Sequence, residues 1–425
     1  MSVLFCNFCM YFAYTVFSLK KWKHATFHNL VAAWFAIIAF LGYYVVYSGD
    51  YQNIYGTILK FPLEPYIFAF VAFLIFIWPF RSLRVQIDKT RISEVLKNRK
   101  FERFIYIILC ILFLYTIVLF NSALFTLQFE GKEAYESLHT DGKTLYQYNF
   151  IESFIIGISV NIYSLFAPVI LLYSFWGLIL ENYRKKHFYY FSIILILLIT
   201  FLKNIAGGAR GGIFFFSITT LFMVLPFYRS FPLKVQKRIT SIGLYIGVLF
   251  ILYVIGQTIS RFGQGGAETP IGSILRYLGE PFPNLGNVYW EKVNVHPFGA
   301  RMFPFIFQHG SALGTADSLS DSHSIWEWIT GVPILVYKTI YGDFYVEFGK
   351  WLAFVPIIVY ALYMKLFTLG GKVNLANVAI LYYFLETAAT APFFFQKRDL
   401  YNVRMLLFLV ISYSIILYIQ KKRKI

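Results

Sequence analysis

Long apolar runs recur from one end of the chain to the other, and that repetition leaves few folds open. Runs able to cross a hydrocarbon core of roughly 30 Å fall at residues 2–18, 27–47, 65–80, 104–126, 150–180, 189–203, 211–228, 240–259, 346–367, 375–395 and 400–419. In lipid each backbone N–H and C=O must be satisfied inside the protein, and a helix does this locally. The expected fold is an all-α polytopic membrane protein with about eleven transmembrane helices. It forms one integral membrane domain over 1–425, with one large extracytoplasmic loop at 260–345. Only 14% of the residues are charged, against roughly 25% in soluble domains.

Orientation follows the distribution of lysine and arginine. The loops at 20–24, 81–103, 181–188, 229–239 and 365–372 and the tail at 421–424 hold well over half of the 38 basic residues. Of the 21 acidic residues they hold only Asp88, Glu94, Glu102 and Glu181. Placing these loops in the cytoplasm predicts an N-terminus outside and a C-terminus inside. The net charge of +17 then reflects topology and contact with anionic lipid, and nucleic acid is not an expected partner. The first run lacks a basic leader and ends in Lys20-Lys21-Trp22-Lys23, so it reads as a retained span. Cys6, Cys9 and Cys110 lie in apolar runs with no second pair or nearby histidine, which favours helix packing over metal binding.

Between two apolar stretches stands Lys203-Asn204-Ile205-Ala206-Gly207-Gly208-Ala209-Arg210-Gly211-Gly212. The glycines bare the backbone and leave its N–H groups open to a ligand. An arginine among them can grip a phosphate through two parallel hydrogen bonds. Arg210 is therefore a candidate ligand for a lipid-linked anion; the bland alternative is an arginine anchoring a helix end among headgroups.

The segment 260–345 is less apolar and rich in Gly, Pro, Arg, His and acidic groups. Its length marks it as functional, and its aromatics argue for order. It supplies Arg261, Arg276 and Arg301 as further anion ligands, unless they pair with Glu268, Glu280 or Glu291 in the same loop. His296, His309, Glu280 and Asp343 are candidate general bases; a histidine beside arginines stays neutral and able to take a proton. Tyr277, Tyr289 and Trp290 are among those aromatics. Residues Ser324–Ile340 read as an interfacial or re-entrant helix, and Asp343 as a helix N-cap before the ninth span. Glu386 lies inside the tenth span, where an ionisable group points to function; it can pair with an arginine or bind sugar hydroxyls. A smaller outer loop at 127–149 carries Glu130, Glu133, Glu136 and Asp141. The chain has no D-x-D, H-E-x-x-H or P-loop pattern, so neither ATP nor a carboxylate-bound metal is expected.

Gly207-Gly208-Ala209-Arg210-Gly211-Gly212 resembles the Gly-Ser-Arg-Gly-Gly signature of Wzy-type polymerases of O-antigen or capsule repeat units. The large outer loop before the last spans is similar to theirs, as is Tyr341-Gly342-Asp343-Phe344 followed by Phe348-Gly349. Arg261 with Gly272 and Arg276 with Gly286 match their spacing of an outer-loop arginine and a glycine; Ala209 departs from the usual Ser. The resemblance implies a GT-C-like membrane glycosyltransferase in the bacterial cytoplasmic (inner) membrane, using neither metal nor cofactor. It would pass a growing glycan from undecaprenyl diphosphate onto a lipid-linked repeat unit, alongside a flippase and a chain-length regulator. Arg210, Arg276, Arg261 and Arg301 would then hold the diphosphate, and His296, Glu280 or His309 would deprotonate the acceptor. Tyr277, Tyr289 and Trp290 would stack on sugar rings, and Asp343 and Glu386 would meet sugar hydroxyls. Two alternatives are a ligase moving the finished glycan to another acceptor and, in a different class, a flippase or exporter of lipid-linked glycans. A non-catalytic chain-length regulator fits poorly, since such proteins have few spans.

Overall fold

Helices form where the apolar runs fall, and most are apolar on all sides, as a bilayer requires. A computed structural model of the chain describes residues 1–21, 26–82, 86–87, 99–128, 145–180, 185–207, 211–228, 230–262, 269–302, 319–334, 336–368, 372–373 and 375–395. In chain order the helices are α1 (Ser2–Lys21), α2 (Thr26–Tyr47), α3 (Gln52–Tyr55), α4 (Glu64–Ile77), α5 (Arg99–Thr126), α6 (Phe150–Ile179), α7 (Lys186–Ala206) and α8 (Gly211–Tyr228). They continue as α9 (Leu233–Phe262), α10 (Pro270–Gly279), α11 (Pro281–Asn284), α12 (Leu319–Thr330), α13 (Thr339–Leu352), α14 (Phe354–Thr368) and α15 (Leu375–Thr390). A two-residue parallel pairing, β1 (Gln86–Ile87) with β2 (Lys372–Val373), is the sole strand pair among the described residues.

Seven of the described helices are long and apolar enough to cross a membrane, or eight if the bent pair α13–α14 counts as one span. The expected span at 346–367 falls on two helices: α13, with a non-helical Gly349 (φ 75°) inside it, and α14, bent by 108° from it. Glycine alone takes that backbone region without strain. The expected span at 400–419 lies outside the described residues. The expected helix over Ser324–Ile340 also differs: α12 stops at Thr330, and Gly331 (φ 71°) turns the chain before α13 starts.

The chain divides into two compact units. The first comprises residues 1–84, 265–371 and 383–408, and its core is aromatic. Tyr11 stacks on Phe35 (ring centroids 5.8 Å apart), Phe35 on Tyr341 (5.8 Å) and Phe76 on Tyr360 (5.0 Å). α10 lies against α2 through two glycines: a Cβ on Gly279 would sit 2.5 Å from the Leu41 carbonyl oxygen, and one on Gly42 would sit 3.0 Å from the Gly279 oxygen. Backbone meets backbone there, a packing that small residues permit. Gly279→Ala is expected to cost about 1–3 kcal/mol through overpacking and to shift α10, read as a lower melting temperature of the detergent-purified protein.

The second unit comprises residues 85–264, 372–382 and 409–425. α6 begins with a capping box, in which the Asn149 side chain accepts from Glu152 N–H (2.9 Å) and Glu152 accepts from Asn149 N–H (3.0 Å). Gly177 of α6 presses its bare backbone onto the Tyr189 ring of α7. Lys185 pairs with Glu102, and Tyr253 of α9 donates to the Asn204 carbonyl (3.4 Å). Cys6 and Cys110 are exposed on their helices rather than packed, and Cys9 is half-buried.

Candidate functional site

The first unit carries two clusters of polar groups, both built around the segment that the sequence singles out. The first is assembled on α13. Asp343 and Glu347 are one helical turn apart on one face, and both are fully buried. Arg301 donates from Nε to Glu347 Oε2 (2.8 Å) and its Nη2 lies 3.6 Å from Asp343 Oδ1. Lys338 places Nζ 3.5 Å from the same oxygen. Two cations and two carboxylates thus cancel in a space closed to water, the condition for tolerating buried charge. Glu347 Oε1 also accepts the backbone N–H groups of Gly299 (2.9 Å), Arg301 (3.1 Å) and Met302 (3.4 Å). The segment 296–302 is therefore strapped onto α13.

Asp343 is not the expected N-cap. It lies inside α13, which starts at Thr339, and its Oδ2 accepts from Phe395 N–H (2.7 Å). The helix start is satisfied from a distance, because the Phe393 carbonyl accepts from Lys338 and Thr339 N–H and the Ala391 carbonyl from Ile340 N–H. Those partners lie some fifty residues away and leave no local signature.

His296 opens the strap and is half-buried. Its Nδ1 is 2.9 Å from the Val346 carbonyl oxygen, an acceptor only, so Nδ1 carries a hydrogen, and in the neutral ring the lone pair falls on Nε2. The ring lies over Gly349: a Cβ there would stand 3.2 Å from Nε2. The edge of the ring meets Tyr345 at 5.8 Å. This is a base held in one tautomer by a fixed partner, the arrangement general-base chemistry needs.

The second cluster surrounds α10. Arg276 donates from Nη1 to Glu280 Oε2 at 2.9 Å, with side chains 14% and 7% exposed. Tyr55 stacks on Tyr51 (4.4 Å, 23°), and Tyr51 donates its hydroxyl hydrogen to Asn284 Oδ1 (2.7 Å). Asn284 Nδ2 donates to the Tyr337 carbonyl (2.9 Å). The Tyr277 and Tyr337 hydroxyls hydrogen-bond, and the Tyr337 ring stacks on Phe394 (5.5 Å, 15°). Burial first, and then the nearby Glu280 carboxylate, push the Tyr55 phenol well above its ordinary range, so it stays protonated. Nearby, Asn287 accepts from Lys60 N–H (3.0 Å) and, at its carbonyl, from Lys292 Nζ.

The expected sugar platforms divide on burial. Tyr277 is half-buried, but Tyr289 is fully buried and donates its hydroxyl hydrogen to the Pro333 carbonyl (2.7 Å). Trp290 is 4% exposed, stacks on Tyr345 (4.5 Å, 18°) and donates to Glu64 Oε2 (3.2 Å). Those two are core residues, and a sugar cannot reach their faces. Arg276 and Arg301 both pair with carboxylates, so neither stands as the uncompensated cation that a diphosphate grip requires. Asp343 is likewise sealed from any sugar. Glu386 is half-buried on α15, and its carbonyl accepts from the Thr390 hydroxyl (3.1 Å). Arg210, His309, the side chain of Arg261 and most of the 127–149 loop lie outside the described residues.

No protein-family model, curated protein or solved structure matches the chain. What its groups can do follows from their chemistry. Among the described residues no three His, Cys, Asp or Glu side chains gather so as to hold a metal ion. Glu347, Lys338, Tyr55 and Tyr337 complete the two clusters and carry no motif. The i, i+4 spacing of Asp343 and Glu347 was the one usable signal, since it sets two acids on one face of an apolar helix.

Proposed function

We propose that the chain is a membrane glycosyltransferase that polymerises oligosaccharide repeat units carried on undecaprenyl diphosphate, at the outer face of the bacterial cytoplasmic membrane. The observation that carries this reading is His296: one ring nitrogen is tied to the Val346 carbonyl at 2.9 Å, and the other, which holds the lone pair of the neutral ring, lies above bare Gly349. In the proposed reaction Nε2 takes the proton of an acceptor hydroxyl. The hydroxyl oxygen bonds to the anomeric carbon of the donor as the bond from that carbon to the diphosphate oxygen breaks. Undecaprenyl diphosphate leaves, and the glycan is longer by one unit. The leaving charge needs cations, and this reading gives that role to Arg210 and Arg261.

A second reading, a flippase for lipid-linked glycans, draws on the broken α13–α14 helix with charges near the break, a feature of transporter sites. Against it, Arg301, Lys338, Asp343 and Glu347 cancel one another and are at most 7% exposed.

Purified protein in proteoliposomes, supplied with the lipid-linked repeat unit of its own host, separates the possibilities. The expected product is a ladder of two or more repeats on the lipid carrier, seen by gel and mass spectrometry. Movement of unextended repeat across the bilayer would establish the flippase instead. Transfer only to a different lipid acceptor would establish a ligase.

A further inference from the structure

A diphosphate and a sugar ask different things of a site. The first brings about two negative charges and seeks cations whose charge is not already met. The second is uncharged and offers adjacent hydroxyls, each both donor and acceptor, together with an apolar ring face. The cluster around α10 suits the second. Arg276 already gives an N–H to Glu280 at 2.9 Å, so a diphosphate arriving at the guanidinium would meet a carboxylate beside it. A hydroxyl pair, by contrast, finds an acceptor in the carboxylate and a donor in the guanidinium.

The pair itself is largely buried, with side chains 14% and 7% exposed, and its surroundings are aromatic and half-buried. Tyr55, Tyr277, Tyr337 and Phe394 are neither sealed in the core nor fully exposed, in contrast to Tyr289 and Trp290. They come from chain segments far apart in sequence and are locked together by the Tyr51–Asn284–Tyr337 hydrogen bonds (2.7 and 2.9 Å). A rigid frame of this kind holds its groups in position before a ligand arrives, which lowers the cost of binding.

We infer that Arg276, Glu280, Tyr55, Tyr277 and Tyr337 form a subsite for an uncharged sugar of the acceptor glycan. The carboxylate and guanidinium bind its hydroxyls, and the tyrosines wall the ring. The inference rests on the polymerase reading only for the identity of the glycan. It moves Arg276 from diphosphate binding to sugar recognition, and Glu280 from proton acceptor to hydrogen-bond acceptor.

The test uses the full-length protein in nanodiscs and two soluble probes: oligosaccharide released by mild acid from the host's lipid-linked glycan, and inorganic pyrophosphate. The wild type is expected to bind the oligosaccharide, and Glu280→Gln and Tyr55→Ala are each expected to weaken that binding by about tenfold or more. Pyrophosphate binding should be unchanged in both variants. Failure of the wild type to bind the oligosaccharide would overturn the subsite. So would wild-type affinity in both variants, or pyrophosphate binding strengthened about tenfold by Glu280→Gln, which would mark an anion site. Glu280→Gln keeps the side-chain shape, so the test survives if Tyr55→Ala misfolds. A wild type that binds oligosaccharide through these residues but never lengthens lipid-linked glycan would remove the polymerase reading and leave the subsite standing.

Discussion

Glu347→Ala is expected to destabilise the protein by about 3–5 kcal/mol, the cost of breaking a buried ion pair from one side. Glu347 is fully buried and receives the Arg301 Nε–H together with the N–H groups of Gly299, Arg301 and Met302. Its removal leaves an arginine whose side chain is 3% exposed, with Nη1 already lacking a hydrogen-bond partner and Asp343 near Nη2. Water cannot reach those groups unless the 296–302 strap lifts from α13. The variant should therefore melt early and be cut by protease within the strap. Lys350→Ala provides the contrast. Lys350 pairs with Glu64, but the side chains are 39% and 47% exposed, and such pairs contribute at most about 1 kcal/mol. Equal losses for the two variants would contradict the account of α13 as the anchor of the strap.

His296→Gln is expected to lower polymer formation by about 10²–10⁴-fold, the range for loss of a positioned general base, with melting behaviour close to the wild type. The Glu347 contacts keep the strap in place, and glutamine offers no nitrogen able to take a proton. Gly349→Ala should act on the same chemistry by another route. The added Cβ would meet the imidazole at 3.2 Å, and it would do so at a residue whose φ of 75° and ψ of −177° cost a side chain about 1–3 kcal/mol. A His296→Gln protein that polymerises at the wild-type rate would remove His296 from the reaction and, with it, the observation on which the proposed function depends.

The cations divide the two proposed tasks. Arg276 and Arg301 sit beside carboxylates at 2.9 and 2.8 Å, so they serve a neutral ligand and a structural strap respectively. The proposed grip on the diphosphate falls to Arg210 and Arg261. Arg210→Ala should therefore abolish lengthening while leaving the binding of released oligosaccharide intact.

The apolar runs by themselves determined that the chain is helical and where most of the helices lie: runs at 2–18, 27–47 and 104–126 became α1 (Ser2–Lys21), α2 (Thr26–Tyr47) and α5 (Arg99–Thr126). Transfer of side chains into lipid is nearly additive along a segment, and a helix closes its hydrogen bonds within four residues, so both are written locally. The break at Gly349, the core position of Tyr289 and Trp290 and the neutralisation of Arg301 were decided only by tertiary structure. An aromatic ring is equally suited to a core and to a sugar, and an arginine is equally suited to a carboxylate and to a phosphate. The choice is made by what folding brings alongside, and for Arg301 that was a glutamate 46 residues away.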